Sequence, residues 1–210
     1  MKIPELIPGS IKTVWEKYGK KVLRADYRYP DGKVKDFYCW NSIGQAPNAS
    51  LVFPVTTEGN IVYISQFRHG SVWIMDELPG GHPEDGQSAE DAARAELLQE
   101  TGYIAGTLID LGKMWFDPAS CGAMPAMFLA LDCHRDPGVS QKLDETECIE
   151  VRETPIENWF SSIADPSNKR REMKSITTSL IAIPYLPKKI RDRVFSTLGS
   201  VQLPLPLPPL

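Results

Sequence analysis

Glu96 and Glu100 stand four residues apart in the run AELLQET, with Gln99 three residues after Glu96. On a helix, positions i and i+4 emerge one turn apart on the same face, so both carboxylates would point the same way. A Gly-Gly turn at Gly80 and Gly81, whose carbonyls are free to act as ligands, precedes them. Carboxylates and carbonyls so arranged suit Mg2+ or Mn2+, hard ions that take oxygen ligands and keep waters or phosphate oxygens. The Gln99 oxygen can touch such an ion or its water, but it brings no negative charge. A solvated acidic helix face would show the same carboxylate pair, so the surroundings must decide between the two.

Those surroundings demand a helix directly after the glycines. Ser88 fits as its N-cap, with Asp91 three residues on and acidic residues in the first turn, and Gly102 fits as the terminating residue. Alternating runs at 22–29 and 33–40 flank Pro30, Asp31 and Gly32 and predict a hairpin. Further strands are expected at 50–56, 60–67, 72–78, 106–115, 126–133 and 147–154, and helices at 155–164 and 174–183. Strands and helices do not alternate strictly, which favours an α+β fold, or a mixed sheet between helices, over a doubly wound parallel one. The ending VQLPLPLPPL can form neither helix nor central strand. Residues 1–45 are expected as a β-hairpin annex, 46–190 as the main domain and 191–210 as a proline-rich tail.

The 210 residues are 42% apolar and 24% charged, enough for a sizeable core. A net charge of −4 leaves no footprint for nucleic acid. No stretch approaches the about 20 apolar residues of a membrane helix. Four scattered cysteines (Cys39, Cys121, Cys133 and Cys148) fit reduced thiols, and a cytoplasmic setting is the expectation. Arg68, at a strand end in SQFRHG, has a planar fork suited to phosphate. Trp73 and Trp115 could stack on a base or ribose, although packing would use them equally well.

The stretch from Glu77 to Tyr103 resembles the Nudix box, G-x5-E-x7-R-E-U-x-E-E-x-G-U with U a bulky apolar residue. Gly81, Glu96, Leu97, Glu100, Gly102 and Tyr103 take their places without insertion. Glu77-Leu78-Pro79, SQFRHG and LDETECIEV are similar to the ADP-ribose pyrophosphatase branch in particular. The resemblance covers roughly residues 20 to 185. It implies an α/β/α Nudix sandwich with a mixed sheet, and metal-assisted hydrolysis of the diphosphate bond of an ADP-ribose-like nucleoside diphosphate derivative. It also implies a homodimer formed through the N-terminal sheet. Glu77, Arg68, Trp73 and Trp115 become candidate substrate contacts. Glu145 and Glu147, on the acidic loop that matches the branch, become candidates for activating water, with Glu147 also a candidate metal ligand alongside Gly80, Glu96, Gln99 and Glu100.

Three box positions depart from the pattern. Gln87 replaces the first Glu, Ala95 the Arg, and Gln99 the Glu that would lie one turn beyond that Arg. Arg94 cannot stand in for the missing Arg, because one residue turns a helical side chain by about 100°. Loss of both members of an ion pair leaves no unpaired charge behind. The reading that follows is an enzyme with an attenuated metal site. The alternative is a Nudix-fold module that binds such a nucleotide, or regulates through it, without cutting it.

Overall fold

The computed structural model describes residues 1–44, 46–138, 141 and 148–200. In chain order the strands up to the first helix are β1 (Glu5–Leu6), β2 (Lys12–Lys17), β3 (Lys20–Arg28), β4 (Val34–Trp40), β5 (Ala46–Thr56), β6 (Asn60–Arg68), β7 (Trp73–Glu77) and β8 (Gly80–Gly81). Helix α1 (Ala89–Thr101) follows, then β9 (Tyr103–Ile104), β10 (Thr107–Lys113), β11 (Ala123–Arg135) and β12 (Ile149–Pro155). The chain then runs through α2 (Ile156–Ala164), α3 (Met173–Ala182), a 3-10 turn at Ile183–Tyr185 and α4 (Lys188–Ser200).

Two compact units emerge. The smaller is built from Met1–Asn48 and Lys113–Pro125, the larger from Ala49–Gly112 and Ala126–Leu210. In the smaller, β3 and β4 form the expected hairpin, in register from Val22 opposite Trp40 to Arg28 opposite Val34. The strands β1 and β2, which sequence reasoning did not anticipate, pair with the same β3. The returning segment is stitched on by backbone bonds from Trp40 N–H to Ser120 O (2.8 Å) and from Gly122 N–H to Ser42 O (3.0 Å). Gly122 approaches so closely that a Cβ there would lie 2.0 Å from the Gly44 oxygen.

In the larger unit the main sheet runs β10-β11-β5-β6-β12, with β7 added on β6 and β8 on β5. Side chains alternate across it as a pleated strand requires. Val52 of β5 and Ala126, Phe128 and Ala130 of β11 pack with Ala93 and Leu97 of α1. Phe53 and Val55 of β5 and Leu129 of β11 pack instead with Ile156, Trp159 and Phe160 of α2, Ala182 of α3 and Val194 of α4. The sheet is thus apolar on both faces and covered by helices on both, the sandwich expected from the family pattern. Phe53 and Phe160 meet edge to face, ring centroids 6.2 Å apart. Each such fully buried ring contributes about 1.5–3 kcal/mol by leaving water.

One boundary is corrected. Residues 191–200 were expected in the tail, but they continue α4, whose Val194 is fully buried. Residues 201–210 lie outside the described residues.

Candidate active site

The loop before α1 and the first turn of the helix are fixed locally. Ser88 caps α1, its hydroxyl accepting from Asp91 N–H at 3.0 Å. Gly102 ends the helix at φ 75°, where a side chain would be strained. Ahead of the cap, the Gln87 side-chain oxygen accepts from Glu84 N–H at 2.9 Å. A neutral amide oxygen fills this acceptor role, so the loop keeps its bond despite the departure at Gln87.

The glycines hold the carboxylates. Gly80 N–H donates to Glu100 Oε2 at 2.8 Å, and Glu100 is only 4% exposed. Ser50 and Leu51 of β5 pair with Gly81 and Gly80 of β8, and a Cβ on Gly80 would lie 2.2 Å from the Ser50 oxygen. A Cβ on Gly81 would lie 2.0 Å from Glu96 Oε1. Only backbone without side chains lets β8 sit between β5 and the two glutamates.

Glu96, Gln99 and Glu100 line one cavity of about 510 Å³, together with Gly80, Gly81 and Arg68. Ala95 and Gln87 line it too, so all three box departures face the same space. Arg94 points elsewhere, paired with Glu90 one turn away at 3.0 Å, which is why it cannot restore the lost arginine. The donors from α1 and β8 are all oxygens, the set that fits a hard dication. Among the described residues no three His, Cys, Asp or Glu side chains gather closely enough to hold a metal. The set from α1 is therefore two carboxylates with neutral oxygens beside them.

The remaining sequence candidates separate. Arg68 lines the cavity, but its fork is already engaged: Nε and Nη2 donate to Glu77 Oε1 and Oε2 at 2.9 and 2.8 Å. Hydrogen bonding to Glu77 raises the Arg68 pKa further, so the guanidinium is charged throughout the accessible range. Glu77, 4% exposed, sits behind Arg68 as its positioner and is not part of the lining. Trp73 faces Arg68 across the β6–β7 ladder, is 53% exposed and does not line the cavity. Trp115 belongs to the smaller unit and is likewise outside the lining. Glu145 and Glu147 lie outside the described residues.

Gln66 and Lys174 are among the cavity residues that escaped sequence reasoning. Gln66 lies two positions before Arg68 on β6, so the strand period that puts both on one face was a usable signal. Lys174 arrives from the first turn of α3, far away in sequence. Its placement depends on Ser175, whose hydroxyl accepts from Leu78 N–H at 3.0 Å and donates to Glu172, the α3 cap. No local pattern announces such a contact.

The chain is similar to several known proteins. The family model described as NUDIX domain matches residues 45–173. The chain is 31% identical over 166 residues to an ADP-ribose pyrophosphatase of Bacillus subtilis, covering 78% of this chain and 83% of that protein. It is 27% identical over 129 residues to a GDP-mannose pyrophosphatase of Yersinia enterocolitica, covering 56% of this chain and 64% of that one. A crystal structure of an ADP compounds hydrolase superposes with a TM-score of 0.74 at 19% identity, covering 90% of this chain and 96% of the other. With the box spacing, the sandwich and these matches in hand, the chain belongs to the Nudix hydrolases, on their ADP-ribose pyrophosphatase-like branch.

Proposed function

We propose that this enzyme hydrolyses the diphosphate bond of an ADP-ribose-like nucleoside diphosphate derivative, with Mg2+ or Mn2+ required. The observation that carries the reading is the convergence of Glu96 and Glu100 on the β8 glycines, beside a charged Arg68, in one cavity. A pure binding module would have little use for two carboxylates pressed against glycine backbone. A divalent ion held by Glu96, Glu100, the Gly80 carbonyl and Gln99 would neutralise the diphosphate and polarise it as a Lewis acid. Glu100, which lines the cavity, accepts a hydrogen bond from the Gly80 N–H. Glu77 orients Arg68, leaving the Nη1 donors for a phosphate oxygen. Glu147 or Glu145 takes the proton of the attacking water in this reading, a role assigned from the family pattern.

The chain acts as a homodimer in the same reading. What supports it is the smaller unit's sheet, on which Trp15, Phe37, Tyr38 and Trp40 are each about half exposed. Light scattering at micromolar concentration should return twice the 23.5 kDa chain mass.

The test of the reaction is phosphate release from ADP-ribose and GDP-mannose, coupled to a phosphatase, with Mg2+, with Mn2+ and with EDTA. Metal-dependent release is expected, and Glu100→Gln should remove nearly all of it because Glu96 is then the last carboxylate of the box. Its oxygen can still accept from Gly80, so the fold should survive the change. Inert wild-type protein that nonetheless binds nucleotide would overturn the reading in favour of a recognition module.

A further inference from the structure

Beside Ala182, helix α3 turns hydroxyls toward the core: Ser175, Thr178 and Ser179 are all buried. Buried polar groups cost free energy unless partnered, so the partners show what each hydroxyl is for. Thr178 and Ser179 bond back to carbonyls of their own helix, Lys174 O and Ser175 O, at 2.8 and 2.7 Å. Ser179 also accepts from Trp159 Nε1 of α2 at 2.9 Å, which ties α3 to the core. Ser175 reaches elsewhere. Its hydroxyl accepts from Leu78 N–H at 3.0 Å and passes its own proton to Glu172 Oε2, also at 3.0 Å. A hydrogen bond that ends on a carboxylate is stronger than a neutral one, so the Leu78 amide is firmly held.

Leu78 opens the segment that leads into the cavity. Pro79 has no N–H, and its carbonyl accepts from Val52 N–H of β5 at 3.0 Å. Gly80 N–H then donates to Glu100 Oε2 at 2.8 Å. The segment is thus fastened to β5 on one side and, through Leu78, to α3 on the other. It lies between Glu77, which grips Arg68, and Gly81, against which Glu96 rests. Because Pro79 offers no donor, the Leu78 N–H is the backbone donor immediately before Gly80 by which α3 can hold it. Ser175 itself is not part of the cavity lining.

We propose that Ser175 is a positioning residue for the metal-binding carboxylates, acting through Leu78 to hold Gly80 where its N–H meets Glu100. This rests on the metal-dependent hydrolase reading and adds to it a hydroxyl on α3 that sets metal affinity from outside the cavity.

The experiment is calorimetric titration of the full chain with Mn2+, alongside the thermal midpoint and the kcat and KM for ADP-ribose. Ser175→Ala should weaken Mn2+ binding about tenfold, the order expected when a group that orients a metal ligand is lost. At subsaturating Mn2+ its kcat should fall in step, with KM little changed. Ser175→Thr, which keeps the hydroxyl, should restore most of the affinity. Ser179→Ala is the control: it removes a buried hydroxyl one turn along the same helix, so it should lower the midpoint and leave Mn2+ affinity as in wild type. Should Ser175→Ala not fold, Ser175→Cys, close in shape but a weak acceptor, should still show a smaller loss. Equal Mn2+ affinity in wild type and every folded Ser175 variant overturns the positioning role, as does an equal loss from Ser179→Ala. If wild type cleaves ADP-ribose in either case, the hydrolase reading stands without it. If the Ser175 loss appears but nothing is cleaved, the positioning role stands and the hydrolase reading fails. If wild type binds no Mn2+, both fall.

Discussion

Gln99 is exposed at the rim of the cavity, one turn from Ala95 and adjacent to the buried Glu100. In water-rich surroundings with an effective dielectric near 20, a unit charge 4 Å from another is worth about 4 kcal/mol per charge pair. Exposure reduces that, so Gln99→Glu should tighten Mn2+ binding by about tenfold, roughly 1.4 kcal/mol. Adding Ala95→Arg should contribute a further coupling of about 0.3–0.5 kcal/mol, at the low end because Arg would precede Glu along the helix. A double-mutant cycle on Mn2+ affinity measures both quantities. No gain from Gln99→Glu would mean that position 99 does not face the metal. The box residues were legible at this scale because their chemistry is carried by fixed spacing along one helix. Gln66 was half legible, through strand period, and Lys174 was not, since nothing near it in sequence records its contact with Leu78 by way of Ser175.

Among the elements, α4 was the one most thoroughly hidden. Its sequence, KKIRDRVFSTLGS, follows Pro187 and precedes a proline-rich end, and only Val194 is fully buried. Tertiary contacts therefore hold it. Val194 enters the α2 side of the core, and Arg193 grips Glu157 of α2 with two hydrogen bonds, the Nη2–Oε2 contact at 2.6 Å. Hydrogen bonding to Arg193 holds the Glu157 carboxyl below its ordinary value of 4.5. A carboxyl lowered on folding stabilises the native state above its unfolded pKa, and that contribution disappears as pH falls through the native one. Both side chains are about a third exposed, so Glu157→Gln should cost about 0.5–1 kcal/mol at pH 7 and progressively less below pH 4.5. Urea midpoints of the two proteins across that range test it; a difference that persists in acid would assign the loss to packing. By contrast α1, with its cap, its glycine stop and its acidic first turn, could be read from local sequence almost to the residue.

For the molecule as a whole, the division into units is not a division of the chain. The smaller unit needs Lys113–Pro125 as well as the N-terminal strands, a discontinuity that a boundary near residue 45 does not express. Sequence reasoning found the β3–β4 hairpin from its turn and alternation, but the returning segment has no pattern of its own. Gly122 is the tightest point of that return, with Gly44 O in the space its Cβ would take. Gly122→Ala forces backbone against backbone and should destabilise the protein by about 1–3 kcal/mol. Guanidinium unfolding followed by tryptophan fluorescence, which Trp15, Trp40 and Trp115 of this unit report, should show an earlier transition. An unchanged midpoint would show that the return segment docks loosely.

That split ancestry also sets a timetable during synthesis. The first strands emerge from the ribosome while their completing segment is still untranslated, because all of Ala49–Gly112 must be made in between. At about 5–20 residues per second the wait lasts several seconds, far longer than the microseconds in which a hairpin forms. Through that interval the aromatic side chains of β2 and β4 stand on an unfinished sheet, next to whatever nascent chains share the polysome. The N-terminal unit is therefore the place where chaperone dependence, or aggregation on overexpression, should concentrate, and slower translation through 49–112 should aggravate it.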